Sequence, residues 1–128
     1  MRAVLDTSIF FADEQGRPLD TTAIPDEAAV SVVTLAELEL GVHLATSDET
    51  RAARLATLRA VQSSYDSLPI DGDVASSFAQ LVATARAAGR KPKVQDAWIA
   101  ATALAHAAAV LTQDSDFDDF TGIHVVRV

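Results

Sequence analysis

At 128 residues, 49% of them apolar and none cysteine, the chain can build one compact core but not two ordinary domains, and it excludes disulfides and thiolate metal sites. The formal charge of −8, from 18 acidic against 10 basic side chains, weighs against broad nucleic-acid binding, which a basic surface ordinarily drives by releasing counterions. The longest nearly apolar stretch, 97–111, is interrupted by Thr102 and His106 and falls short of the roughly 18 to 20 residues needed to cross a bilayer, so no membrane segment is expected.

Residues 2–6 read as a first strand, apolar until Asp6. Because that acid arrives before an apolar signal region can form, secretion is not expected and the cytoplasm is the default compartment. A polar loop containing Pro18 and Pro25 follows. Ala28–Ser31 read as a second strand, a helix follows over 32–45, and a further helix fits 48–65. A short strand is expected at 67–70. Asp71 suits the N-cap of a helix over 72–88, and Gly89 suits the C′ position that ends it. Pro92 opens the next helix, which is expected to run to about 108 and feed a strand at 110–112. An acidic loop and a terminal strand at 124–128 close the chain. Strands alternating with helices predict a single α/β domain over 1–128 with a mainly parallel central sheet of four to five strands.

Four acidic positions stand where a domain ordinarily spends none. Asp6 and the Asp114/Asp116 pair lie just past the carboxyl ends of two predicted parallel strands, the edge at which open α/β sheets form their ligand crevice. Taken singly, Asp6-Thr7-Ser8 also reads as a cap on a short helix, and 114–119 as a polar turn. Helical spacing puts Glu37 beside Val33, Leu40 and Leu44, a stripe on which a buried carboxylate is costly unless it is paired or holds metal. Leu35, Leu38 and Val42 make a second apolar face on the same helix. Asp96 opens an alanine-rich helix and aligns with Ala100, Ala103 and Ala107, a small-residue face suited to close packing on a sheet. Its plainer reading is a favourable interaction with the helix dipole. Brought together, these acids would repel one another unless divalent cations filled the site.

Read together, the pieces resemble a PIN-domain ribonuclease of the VapC toxin type. The resemblance is carried by Val4-Leu5-Asp6-Thr7-Ser8, by Ser31-Val32-Val33-Thr34-Leu35-Ala36-Glu37-Leu38, by Asp96-Ala97-Trp98-Ile99-Ala100-Ala101-Thr102-Ala103 and by Leu111-Thr112-Gln113-Asp114-Ser115-Asp116-Phe117. It implies a PIN-like three-layer α/β/α domain whose Asp6, Glu37, Asp96, Asp114 and Asp116 hold Mg²⁺ or Mn²⁺ for phosphodiester hydrolysis, leaving 5′-phosphate and 3′-hydroxyl ends. Many relatives carry Arg and Asn where this chain has Gln113 and Asp114, which leaves open whether Asp114 or Asp116 is the direct ligand. Thr7, Ser8 and Thr112 are expected at most to orient ligands or water. The resemblance also implies an RNA substrate of defined structure, a tRNA or an rRNA, together with a VapB-type antitoxin and a homodimer. Leu44, Leu55 and Leu58 are candidates to line the antitoxin groove or to pack in the core.

Arg86, Arg90, Lys91 and Lys93 cluster ahead of Asp96 as a candidate path for the RNA strand, and Arg51, Arg54 and Arg59 spread along an earlier helix; a solvated surface is the plain alternative for both groups. Trp98 and Tyr65 are candidates for base stacking or for the core. His43, His106 and His124 are scattered, which leaves a histidine mechanism without support. A phosphoryl-accepting receiver domain would need an acidic pair after the first strand and a lysine after a late one; a haloacid-dehalogenase-type phosphatase would need Asp-x-Asp at 6–8. Neither pattern is present. The surviving alternative is a catalytically silent PIN domain that binds RNA or protein.

Overall fold

The computed structural model describes all 128 residues. Five parallel strands, β1 (Ala3–Leu5), β2 (Ala28–Ser31), β3 (Asp66–Leu68), β4 (Ala109–Thr112) and β5 (Val125–Arg127), form one sheet in the order β3-β2-β1-β4-β5. The helices are α1 (Thr7–Glu14), α2 (Val32–Leu44), α3 (Asp48–Ser64), α4 (Gly72–Ala87) and α5 (Val94–Ala105). β1 and β4, adjacent at the centre, are buried along their whole length, as expected of parallel strands covered on both faces.

Strand alternation divides the core into two layers. Ala3 and Leu5 of β1, with Ala109 and Leu111 of β4, pack against Ile9 and Phe10 of α1, Leu38 and Val42 of α2 and Leu58 and Val61 of α3. Val4 and Val110 point the other way, onto Val74 and Leu81 of α4 and onto Ala97, Ile99, Ala100, Ala101 and Ala103 of α5. Three layers, α/β/α, follow. The alanine face of α5 explains how that helix lies so close to the sheet: each of those five α5 residues is fully covered.

Several boundaries depend on local chemistry. Ser31 caps α2 by accepting from the Val33 amide at 3.1 Å, and Asp71 caps α4 by accepting from the Val74 amide at 3.0 Å. α4 ends as predicted: Gly89 takes φ +78°, its amide bonds to the Arg86 carbonyl, and the Arg90 amide bonds to the Ala85 carbonyl. α5 ends in the same motif, but the left-handed position is held by Ala107 at φ +51°.

The structure corrects the sequence reading in places. The expected loop after β1 begins as a helix, α1, whose run Ile9-Phe10-Phe11-Ala12 shows no clean helical period because most of its first turns are buried. β3 lies at 66–68 rather than 67–70, leaving Ile70 exposed. α5 starts at Val94 and stops at Ala105, two or three residues inside each expected end. The stripe assigned to Glu37 is not core: Leu40 and Leu44 are 55% and 65% exposed, while Thr34, Leu38 and Val42 face the sheet. No helix is long and apolar enough to cross a membrane.

Candidate active site

In strand order the chain steps outward from β1 to β2 and β3, then returns to place β4 on the other side of β1. The crevice opens at the carboxyl ends of β1 and β4, where the crossovers diverge to opposite faces. Asp6 is the residue after β1, and Asp114 and Asp116 follow β4. Glu37 reaches the same place from the second turn of α2, and Asp96 from the first turn of α5. All five carboxylates line one cleft of about 250 Å³, joined by Thr7, Ser8, Phe11, Lys93 and Gln95.

A network of hydroxyls fixes the acids from below. Asp6, only 3% exposed, accepts from the Thr112 hydroxyl at 2.9 Å. Having spent its proton there, Thr112 Oγ1 accepts from the Asp114 amide at 3.0 Å and from the Ser8 hydroxyl at 3.2 Å; Ser8 Oγ in turn accepts from the Gln113 amide at 3.1 Å. On the other side of Asp6, the Thr7 hydroxyl donates to Glu37 Oε1 at 2.9 Å, so the buried Thr34 hydroxyl donates to Thr7, 3.0 Å away. Every proton in these two chains points toward a carboxylate. Thr34 was not singled out in the sequence, although a threonine on the core face one turn before Glu37 is a visible signal.

Electrostatics show the strain of gathering the acids. Burial raises the Asp6 carboxyl above its ordinary range, with hydrogen bonding from Ser8 and Thr112 opposing and Asp114 adding repulsion. Burial also raises Glu37, against the Thr7 hydrogen bond and with repulsion from Asp6. Asp96 is pushed up to about 6, by burial first and then by Asp6 and Asp116. Its Oδ2 is buried without a hydrogen-bond partner. Lys93 answers part of this charge: its Nζ lies 3.0 Å from Asp116 Oδ2, and that bond, with attraction from Asp116, Asp96 and Asp114, raises the amine.

The donor set suits a hard divalent cation, which prefers carboxylate oxygens. The orphaned Asp96 oxygen and the ammonium drawn in beside Asp116 both mark a place that favours positive charge. The carboxylates line the cleft without three of them converging into a ready ion cage.

Other sequence candidates fall elsewhere. Trp98 is half-buried and stacked on Phe78, ring centroids 3.8 Å apart; Tyr65 packs against Phe10 and the first core layer. Leu58 is core, whereas Leu44 and Leu55 are exposed. Leu44 joins Phe11 and Leu40 in a groove of about 680 Å³ between α1, α2 and α3, and this groove shares Phe11, Glu37 and Gln95 with the acidic cleft. No histidine lines the cleft. Phe11 and Gln95, which do, escaped the sequence reading, since neither residue type signals the chemistry.

The PIN domain family model matches residues 3–123. The chain is 46% identical to ribonuclease VapC5 of Mycobacterium tuberculosis over 128 residues, covering 98% of this chain and 94% of the relative. It is 42% identical to ribonuclease VapC4 of the same organism over 127 residues, covering 99% and 97%. Among solved structures it is similar to a member of the VapBC family of toxin–antitoxin systems, VapBC-5 from M. tuberculosis, with a TM-score of 0.91 at 43% identity and both chains covered in full. FitAcB from Neisseria gonorrhoeae superposes with a TM-score of 0.78 at 28% identity, covering 96% and 95% of the two chains.

Proposed function

Because the chain belongs to the PIN-domain family, with VapC ribonucleases among its relatives, we propose that it is an endoribonuclease toxin that hydrolyses phosphodiester bonds in a structured RNA, a tRNA or an rRNA, with Mg²⁺ or Mn²⁺. One observation carries this reading: five carboxylates from four separate segments line a single cleft at the switch point of the sheet, and the buried Asp96 Oδ2 there lacks a partner. Asp6, Asp96, Asp114, Asp116 and Glu37 would hold the cation. When bound, it offsets negative charge on the phosphoryl oxygens and makes water a better nucleophile.

The chain's own residues prepare that chemistry. Thr112 and Ser8 hold Asp6 against the end of β4, and Thr7 holds one oxygen of Glu37, so these carboxylates are oriented before RNA arrives. Asp114 repels Asp6, and Asp6 and Asp116 repel Asp96, so a cation held among these acids would relieve all of these repulsions at once. Water oxygen bonds to phosphorus and gives up a proton as the bond to the 3′-oxygen breaks, and the leaving oxygen takes up a proton, so none is gained or lost overall. The products carry 5′-phosphate and 3′-hydroxyl ends.

The groove built from Phe11, Leu40 and Leu44 suits the apolar side chains of an antitoxin segment, with a cationic side chain reaching Glu37 at the shared wall. Resemblance to the VapBC-5 structure supports a VapB-type partner; a homodimeric toxin belongs to the same proposal. The test is cleavage of total cellular RNA by purified, antitoxin-free protein, with either cation or with EDTA, beside folded Asp6→Ala and Asp96→Ala variants. Discrete cation-dependent products that vanish in both variants are expected. No cleavage by the folded, cation-loaded protein would favour a silent binding module.

A further inference from the structure

A third pocket, of about 500 Å³, lies between the end of α4 and the start of α5. Phe78, Val82 and Val94 give it an apolar wall, and Arg86, Arg90 and Lys91 give it a basic rim. With Lys93, these are four of the chain's ten basic residues, packed into positions 86–93. Most other cations are committed: Arg2, Arg51 and Arg127 pair with carboxylates, Arg54 donates to the Gly41 carbonyl, and Arg59 donates to Gln62. Arg86 and Lys91 enter none of the ion pairs.

The pocket adjoins the acidic cleft. Ala97 of its lining follows Asp96 in α5, and Lys93, which bonds Asp116, stands two residues from Lys91. Arg90 Nη1 donates to the Asp119 carbonyl at 3.1 Å, tying the rim to the turn that begins at Asp116. Phe78 is covered on one face by Trp98, at an interplanar angle of 18°.

In a chain of charge −8 whose cleft is itself anionic, a polyanionic strand needs a cationic approach, and this rim supplies it. We infer that the pocket takes a nucleotide of the RNA strand flanking the scissile phosphate, with backbone phosphates on Arg86 and Lys91 and a base extending the Trp98–Phe78 stack. The inference rests on the ribonuclease reading above and adds to it a site that reads backbone and base faces rather than sequence.

Anisotropy in EDTA, with a short mixed-sequence single-stranded RNA and with bulk tRNA, measures binding without turnover. Replacing Arg86 and Lys91 together by Gln is expected to weaken binding about tenfold and to flatten the dependence of log K on log salt by about 1.4, for two phosphate contacts at roughly 0.7 each. Phe78→Leu keeps apolar volume without the aromatic face; it is expected to weaken binding about fivefold or more with the salt slope unchanged. In cleavage assays both changes should raise KM and leave kcat nearly intact, while Arg59→Gln on α3 changes neither. Unaltered affinity, slope and KM in a protein that does cleave RNA would overturn the pocket and leave the nuclease standing. A wild-type protein that neither binds nor cleaves RNA would remove both. A changed oligomeric state in Phe78→Leu, with RNA binding intact, would make the pocket an interface between copies and refute the inference.

Discussion

With one carboxylate oxygen buried and unbonded and its pKa pushed up to about 6, the Asp96 carboxylate destabilises the fold at neutral pH when no cation is bound. The folded chain holds the Asp96 proton more tightly than the unfolded chain, whose carboxyl keeps the ordinary value near 3.8, so this contribution to stability falls as pH rises from about 4 to about 6 and stays lost above that. Asp6 and Glu37, also raised by burial, act in the same direction. Asp96→Asn should therefore stabilise the protein in EDTA at pH 7.5 by about 1 kcal/mol, a figure reduced for the site's partial exposure, and should flatten the pH profile of the urea midpoint between pH 4 and 6. A loss of stability at pH 7.5 would mean that the Asp96 charge is satisfied in a way the structure does not contain. That acids gather at this place was legible in the sequence because Asp6, Asp96 and Asp114 each sit at an element boundary. Glu37 was legible for the wrong reason, since the stripe of Leu40 and Leu44 that made it look buried is exposed.

At the scale of the element, the carboxyl end of β4 does more than end a strand. One buried hydroxyl, on Thr112, donates to Asp6 and accepts from both the Asp114 amide and Ser8, so strand, first acid and acidic turn share a single joint. Thr112→Val keeps the shape and leaves three polar groups without that partner; it should cost about 1–3 kcal/mol in denaturant unfolding and slow RNA cleavage, with Thr112→Ser retaining most of both. Equal stability and rate in Thr112→Val would remove the joint from the account. Elements whose signals are local were readable: β1, β2, and the helices capped by Ser31 and Asp71 and ended by Gly89. α1 was visible only as the alternative reading of Asp6-Thr7-Ser8 as a cap, because burial on several sides erased the period that marks a surface helix. The end of α5 was missed because Ala107 occupies a left-handed position that normally announces itself with glycine.

For the whole molecule, parallel order β3-β2-β1-β4-β5 converts separate sequence fragments into one cleft, because it sets β1 beside β4 and opens the sheet at their carboxyl ends. Strand–helix alternation predicted the class of fold, but strand order is a long-range property that no local pattern encodes. The exposed groove of Phe11, Leu40 and Leu44 and the basic rim at 86–91 flank that cleft, one apolar and the other cationic. The sequence pointed to the cations but not to the apolar wall beside them, since Phe78 and Val82 are separated from Val94 by the whole turn between α4 and α5.

That the five carboxylates act as one cation-holding site is tested most directly by calorimetric titration of Mn²⁺ into the antitoxin-free protein at pH 7.5, without RNA, for the wild type and for Asp96→Asn. Saturable binding in the cleft, accompanied by a rise in the unfolding temperature and weakened about tenfold or more in Asp96→Asn, is the predicted result. Equal Mn²⁺ affinity in the two proteins, or no binding by a folded wild type at millimolar cation, would contradict it.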